Sequence, residues 1–131
     1  MSENYTYTTR VYYEDTDAGG IVYYANYLKF IERARTEMVY QQLGFKHNEL
    51  KKIFDVIFVV KSCSIKYLKS AKFEDELTVI TEILKKSKVR LVLQQEVKKN
   101  NELLVIAEVE LAIVNSRGDV HKLPQELLDK L

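Results

Sequence analysis

The sequence is poor in the residues that mark metal-binding, disulfide-linked or strongly charged proteins. It has a single cysteine, Cys63, so no disulfide can form within the chain, which is compatible with a reducing compartment. Its 20 basic and 19 acidic residues nearly balance, which argues against nucleic acid as a partner because proteins that bind it carry a clear basic excess. No run of about 18 apolar residues occurs, so we predict no membrane span. We therefore predict a cytoplasmic protein.

Motifs of several common enzyme classes are also missing. The chain has no G-x-S-x-G elbow, no Walker loop, no G-x-G-x-x-G fingerprint and no C-x-x-C pair. Its two histidines, His47 and His121, lie far along the chain from the acidic cluster at residues 14–17. Cys63 lies on the apolar face of a strand pattern, where we predict it to be buried. A Ser-His-Asp or Cys-His nucleophile is therefore not favoured.

The length is that of one domain, so we predict a single domain over residues 1–131. Residues 7–13 are β-branched and aromatic and predict a first strand. Apolar residues at helical spacing predict a helix over roughly 26–42, with Asn26 as its N-cap and Gly44 as its end. This helix is the only long one that the pattern predicts.

From about residue 55 the pattern changes to strands, and a final helical turn is predicted after Pro124. Four β-rich runs are joined by the short polar segments 69–75, 85–88 and 98–101. Connections this short predict antiparallel pairing, because parallel strands need long crossovers. The strands carry apolar residues on both faces, the second face including Val92, Leu104, Ile106, Ala112 and Val114. One helix cannot cover two faces, so we predict that a second copy of the chain covers the remainder.

The stretch YYEDTDAGGIVYYANYLKF, residues 12–30, concentrates the residues with chemical potential. Glu14, Asp15 and Asp17 can be read in three ways. A metal loop is disfavoured because the further oxygen ligands of an EF-hand do not follow at their positions. A structural turn, in which a carboxylate accepts backbone N–H bonds, is one possibility. The other is an active site, in which a carboxylate beside a helix N-terminus acts on a carbonyl whose oxygen the free N–H groups stabilise.

The string D-T-D-A-G-G-I-V-Y-Y-A-N-Y resembles the signature of the hotdog-fold acyl-CoA thioesterases of the 4-hydroxybenzoyl-CoA thioesterase family. With its continuation LKFIERARTEM it is most similar to the bacterial Tol-Pal-associated (YbgC-type) branch. The resemblance extends over residues 10–40. It implies an α+β hotdog fold, in which a five- to six-stranded antiparallel sheet wraps a long central helix. It also implies hydrolysis of an acyl-CoA or acyl-carrier-protein thioester, with no metal and no cofactor beyond the coenzyme A of the substrate.

The resemblance also assigns roles by position. Asp17 matches the catalytic carboxylate, as nucleophile or general base, and Asp15 is expected to be structural. The backbone N–H of Tyr24 matches the group that holds the thioester oxygen. Gly20 matches a position of close backbone approach to the substrate, and Asn26 and Tyr27 match a pair that organises the loop at the substrate. Tyr24 departs from the YbgC-type branch, which usually has histidine there, so no role of that histidine side chain transfers to this chain.

Lys86, Lys88 and Arg90 alternate in sequence and would share one face of a strand. They have two interpretations. One is a solvated hairpin that deters edge-to-edge pairing. The other, which the family resemblance suggests, is a site for the phosphates of coenzyme A.

Three functions are therefore weighed. The first is an acyl-CoA thioesterase that forms a homodimer or a homotetramer of two dimers. The second is a hotdog dehydratase or hydratase, which is disfavoured because such enzymes pair a histidine with an acid and no histidine lies in this motif. The third is a non-catalytic hotdog module that binds acyl thioesters or a protein partner. Asp17 and the glycine pair favour the thioesterase.

Overall fold

The fold combines one antiparallel sheet with one long helix. The computed structural model describes residues 4–131. In chain order its elements are β1 (Asn4–Arg10), α1 (Tyr27–Leu43), α2 (His47–Phe54), β2 (Ile57–Tyr67), β3 (Glu76–Lys86), β4 (Arg90–Lys99), β5 (Glu102–Val114) and α3 (Gln125–Leu128). Two short 3-10 turns, Tyr13–Asp15 and Tyr24–Asn26, lie between β1 and α1. Within the described residues the five strands lie in the order β1-β3-β4-β5-β2, all antiparallel.

Helix α1 forms because its apolar residues recur on one face and are buried there. These are Tyr27, Phe30, Ile31, Ala34, Met38, Val39 and Leu43. The helix ends at Gly44, whose φ of +74° is a left-handed conformation that favours glycine. The predicted helix is therefore confirmed within one residue at each end. The predicted N-cap is wrong: Asn26 itself has helical backbone angles and makes no capping bond with its side chain, because a 3-10 turn leads directly into α1.

The first strand lies earlier than predicted. Residues 7–13 were predicted as a strand, whereas β1 covers Asn4–Arg10 and the 3-10 turn begins at Tyr13. Beyond β1, Val11 is still bonded across to the segment before β3, its N–H to Asp75 O at 2.9 Å and its carbonyl to Glu74 N at 2.9 Å. The four later strands, their antiparallel pairing and the helical turn after Pro124 are confirmed. Helix α2 was not predicted.

Strand β2 is an edge of the sheet and is left largely uncovered. Helix α1 packs mainly on β1, β3 and β4, and α2 contacts the beginning of β2, so the helix-facing side of β2 lies open in the middle of the strand. Cys63 was predicted to be buried, but it is exposed for this reason. A register shift between Val60 and Ser62 places one extra residue, Lys61, in the strand. By the alternation of side chains on either side of this bulge, Phe58 and Val60 face the helix side, as do Cys63, Ile65 and Tyr67.

Phe30 is part of the hydrophobic core and is fully buried between α1 and the sheet. We expect Phe30→Ala to lower the free energy of unfolding by about 3–5 kcal/mol, because it removes apolar contacts and leaves a cavity. Urea denaturation measures this. Leu28→Ala is the matched control on the same helix, since Leu28 is 43% exposed. Equal losses in the two variants would contradict the packing described here.

Candidate active site

The acidic loop is a tight hairpin held by its own backbone. Thr16 and Val22 form an antiparallel bridge, and the Asp17 N–H donates to Ile21 O at 2.9 Å. The Gly20 N–H donates to Asp17 O at 3.0 Å and closes the turn. Gly20 has a φ of +80°, which residues with a side chain rarely adopt. A Cβ at Gly20 would touch nothing within 4 Å, so here the turn conformation favours glycine. Its predicted contact with a substrate stays a prediction.

The Asp17 carboxylate is exposed at the tip of this hairpin. Its Oδ1 accepts a hydrogen bond from the Gly19 N–H at 2.8 Å, which fixes the orientation of the side chain. A Cβ at Gly19 would lie 3.2 Å from that oxygen, tighter than usual van der Waals contact. The two adjacent positions therefore favour glycine for different reasons: Gly20 because of its backbone conformation, and Gly19 because a side chain would crowd the Asp17 carboxylate. Together they leave the carboxylate ordered and open to a substrate.

Asp15 is buried and organises the loop. Its Oδ2 accepts the Tyr12 N–H at 2.9 Å, and its backbone carbonyl accepts both the Tyr23 N–H and the Asn26 Nδ2, each at 2.9 Å. These bonds attach the acidic loop to the turn that starts the long helix. Asn26 is thus used as a donor to the loop rather than as a helix cap. Glu14 between these groups is exposed.

The backbone N–H of Tyr24 is free to bind a ligand oxygen. Tyr24 is the first residue of the 3-10 turn that runs into α1, where helix geometry leaves N–H groups without acceptors. Within residues 4–131 no backbone carbonyl accepts this N–H. The aligned peptides of the 17-residue α1 add a positive potential at this end. An N–H group in this position can stabilise a carbonyl oxygen that gains negative charge.

Tyr27 anchors the wall opposite the loop. Its hydroxyl accepts the Ala71 N–H at 2.9 Å, and its ring is buried against Phe30 and Tyr67, with centroids 6.1 and 5.8 Å away. Burial raises the pKa of this hydroxyl, while the bond from Ala71 acts in the opposite direction. The hydroxyl is therefore neutral and serves as a fixed acceptor. Tyr27 connects the start of α1 to the segment that follows β2.

Between these groups lies an open cavity of about 200 Å³. The Tyr24 and Tyr67 rings meet edge to face at 5.9 Å and form part of its rim. Its remaining wall comes from the segment after β2, which sequence reasoning missed because nothing local in YLKS indicates a site. The lining residues are Asp17, Ile21, Val22, Tyr24, Tyr27, Tyr67, Leu68, Lys69 and Ser70. A carboxylate and a free N–H at one cavity suit addition to a carbonyl group.

The predicted basic cluster is not at this cavity, and its predicted geometry is wrong. Lys86 ends β3 and Arg90 begins β4, so the hairpin turn separates them and they share no strand face. Lys86 Nζ donates to the backbone oxygens of Leu131, at 2.6 Å, and Leu128, at 3.3 Å. Arg90 forms an ion pair with Glu110, while Lys88 is exposed in the turn.

Residues 86–90, named here the basic hairpin, also lie at the far end of the sheet from the acidic loop. Strand β3 begins beside the segment that follows β1 and has 11 residues. At about 3.3 Å per residue it spans about 33 Å. Within one copy of the chain, Lys86, Lys88 and Arg90 are therefore not brought together with Asp17. Their predicted role toward coenzyme A stays a prediction.

Neither histidine lines the cavity at Asp17. His47 begins α2, packs its ring on Tyr40 and Phe58, and has a pKa lowered by burial. His121 Nε2 lies 3.1 Å from Phe54 O.

In the part of the chain that the structure describes, no three His, Cys, Asp or Glu side chains come together as metal ligands. No helix between residues 4 and 131 is both long and apolar enough to cross a membrane.

Comparison with known proteins gives consistent matches. The model of the thioesterase superfamily matches residues 19–106. The acyl-CoA thioesterase YbgC of Haemophilus influenzae is 40% identical over 115 residues, 88% of this chain and 84% of the relative. Among solved structures, a probable thioesterase from Bartonella henselae superposes with a TM-score of 0.88 at 33% identity, covering 93% of this chain and all of that one. The resemblance predicted from residues 10–40 is thereby confirmed.

A more distant structure supports the fold alone. A 4-hydroxybenzoyl CoA thioesterase mutant, complexed with 4-hydroxybenzoyl CoA, superposes with a TM-score of 0.90 at 18% identity, covering 97% of each chain. Together with the five-stranded antiparallel sheet and the long helix, this confirms the predicted α+β hotdog fold.

The anchoring role of Tyr27 gives a prediction for stability. Tyr27→Phe leaves the buried Ala71 N–H without its acceptor, so we expect the free energy of unfolding to fall by about 1–3 kcal/mol. Tyr40→Phe is the matched control on the same helix, since the Tyr40 ring packs on His47 and its hydroxyl bonds to no backbone group of residues 4–131. It should change stability by less than about 0.5 kcal/mol. Denaturant titration compares them. Equal values would contradict the anchoring role.

Proposed function

The chain belongs to the thioesterase superfamily, and on that basis we propose that it hydrolyses acyl-CoA thioesters to a free acid and a thiol. The observation that carries this proposal is the pairing of two groups at one cavity of about 200 Å³. Asp17 presents an ordered, exposed carboxylate there, and Tyr24 presents an N–H without an acceptor at the start of the helix. The YbgC relative is itself an acyl-CoA thioesterase.

In the proposed reaction the thioester oxygen accepts the Tyr24 N–H, and the Asp17 carboxylate acts on the carbonyl carbon. Two routes use this arrangement. Asp17 attacks directly and forms a mixed anhydride that water then hydrolyses, or it removes a proton from the water that attacks. In both routes the carbon–sulfur bond breaks and the sulfur leaves as a thiolate, which then takes up a proton. The thiol of cysteine has a pKa of about 8.5. A thiolate of this kind is a good leaving group, so no strong acid is needed to protonate it.

The cavity favours hydrolysis over hydration or dehydration. Hotdog dehydratases and hydratases are expected to use a histidine beside the acid, and neither His47 nor His121 lines this cavity. The non-catalytic binding module is the alternative that activity measurements decide. Coenzyme A and an acyl carrier protein present the same thioester, so both are proposed as carriers. The proposed compartment is the cytoplasm, where the exposed thiol of Cys63 would stay reduced.

The test of the proposed function is Asp17→Asn, which keeps the size of the side chain and removes its charge. We expect kcat on a short acyl-CoA to fall by about a hundredfold or more, because both routes need the carboxylate. Free-thiol release measures turnover. Glu14→Gln is the matched control, since Glu14 is an exposed acid of the same loop and should keep wild-type activity. A fall of less than about tenfold in Asp17→Asn would show that another group is catalytic, and no turnover by the wild type would favour the binding module.

We also propose that the active form is a homodimer joined at β2, assembled further into a tetramer. Strand β2 is an open edge whose Val59 and Val60 are 39% and 52% exposed, and edges of this kind pair with other strands. The opposite face of β5 keeps half-buried Ile106, Ala112 and Val114, which two dimers would cover.

Pairing of β2 with β2 would also bring the basic hairpin of one copy close to the active-site cavity of the other. In an antiparallel pair, the Ile57 end of one copy lies beside the Tyr67 end of the other. The hairpin lies at the Ile57 end of its own sheet, because Ile57 and Arg90 both reach the last residues of β5. Each copy would therefore turn its Lys88 and Arg90 toward the cavity of the other, as a site for the phosphates of coenzyme A.

The dimer proposal is tested by mass in solution. We expect light scattering to give two or four times the 15.3 kDa of one chain. Val60→Lys should shift this toward one chain, because it adds a charged side chain to each of the two edges that would join. Thr8→Lys is the matched control on β1, the other edge of the sheet, and should keep the wild-type mass. A wild-type monomer at micromolar concentration would refute the proposal.

A further inference from the structure

The surface between α1 and the helix-facing side of β2 is named the groove, and a cavity lies at each of its ends. One side is α1 and the other is β2, which runs in the opposite direction. At one end the Tyr27 and Tyr67 rings meet at 5.8 Å. At the other end lies a second cavity of about 200 Å³. Its lining residues are Glu32, Arg35, Thr36, Val39, His47, Phe58, Val60 and Leu111.

Arg35 brings a positive charge into this mostly apolar cavity. Its guanidinium is largely buried, and that burial lowers its pKa. Nη1 donates to Gln95 Oε1 at 3.2 Å. No carboxylate of residues 4–131 lies within 4 Å of it. The nearby Glu32 accepts the Thr36 hydroxyl at 2.9 Å instead and acts on Arg35 only from a longer distance. A guanidinium has five N–H donors, so most of them remain available.

Gln95, which accepts the hydrogen bond from the guanidinium, is itself held in place. Gln95 is fully buried, and its Nε2 donates to Ile31 O and to Thr81 Oγ1, both at 2.9 Å. These two bonds fix the amide, so that its oxygen faces Arg35. The partner of the cation is therefore a neutral and immobile acceptor. No carboxylate of residues 4–131 therefore contacts this cation, and Glu32, which lines the same cavity, acts on it only from beyond 4 Å.

We propose that Arg35 binds an anionic group at the far end of the acyl chain, so that the site prefers ω-carboxyacyl thioesters over plain alkanoyl thioesters. This inference rests on the proposed function and names its substrate class. A carboxylate can take two N–H groups of a guanidinium at once. A methyl end in the same place would desolvate the cation further and give it no partner, which is costly.

The reach of the groove suits such a substrate. Arg35 follows Tyr27 by eight residues, or about 12 Å along the helix. Helical side chains lean toward the N-terminus, so the guanidinium lies closer than this to the cavity of Asp17. The wall between them on β2 includes Cys63, which lies on the helix-facing side of the strand between Val60 and Tyr67. An acyl chain that starts at the Tyr24 N–H and follows α1 would meet Arg35.

The experiment compares thioesters that differ only at the far end. Succinyl-, glutaryl- and adipoyl-CoA are paired with butyryl-, valeryl- and hexanoyl-CoA, and kcat/KM is measured for each. We expect the wild type to favour the carboxylate of at least one pair by about tenfold or more. Arg35→Met keeps the length of the side chain without its charge and should reverse this ratio. Arg33→Met is the matched control, because Arg33 is an exposed arginine of the same helix and should keep the wild-type ratio.

An unchanged ratio in Arg35→Met would overturn the inference and leave the proposed function standing. If Arg35→Met changes the oligomer mass in light scattering and leaves the ratio unchanged, the inference is overturned as well. The anion that Arg35 binds would then come from a second copy of the chain. If the wild type hydrolyses no thioester, the proposed function fails, and calorimetric titration with adipate and hexanoate decides the inference separately. Adipate binding that Arg35→Met abolishes and Arg33→Met retains supports it. Equal binding of the two acids, or none, overturns it.

Discussion

The backbone carbonyl of Asp15 is the acceptor on which the site depends. It receives the Tyr23 N–H and the Asn26 side-chain amide, each at 2.9 Å. One oxygen thus joins the loop that carries Asp17 to the turn that carries Tyr24. Because the two reactive groups come from different segments, their relative position is only as rigid as this connection. The burial of Asp15 protects it from competition by water.

The parts of the fold that follow from local periodicity could be predicted from the sequence. The spacing of apolar residues and Gly44 located α1, and alternation located the last four strands. The errors occurred where tertiary contacts decide. Asn26 is a good helix cap by type, yet its amide serves the distant Asp15 carbonyl. Cys63 has an apolar strand pattern around it, yet it is exposed because the helix packs on other strands. Helix α2 was missed because it is short and mostly polar, with Leu50 as its only buried residue.

The candidate site was likewise predicted where its residues are contiguous in the chain and missed where tertiary structure brings them together. The acidic loop could be found because its acids and glycines are contiguous in the chain. The rest of the cavity comes from Tyr67 to Ser70, which the strand order brings there from 50 residues away. Alternation placed Lys86 and Arg90 on one strand face, but a hairpin turn lies between them. Alternation alone cannot distinguish a strand from a turn that joins two strands.

The extra residue in β2 has a consequence for how this groove can change. Side chains alternate along a strand, so the bulge at Lys61 determines which set after it faces the helix. With the bulge, that set begins with Cys63 and includes Ile65 and Tyr67. A strand that kept every residue but lost the bulge would turn Ser62, Ser64 and Lys66 toward the helix instead. A single-codon deletion of Lys61 would therefore remove the bulge and keep the mostly apolar wall, because Val60, Cys63 and Ile65 would then alternate regularly on the helix side.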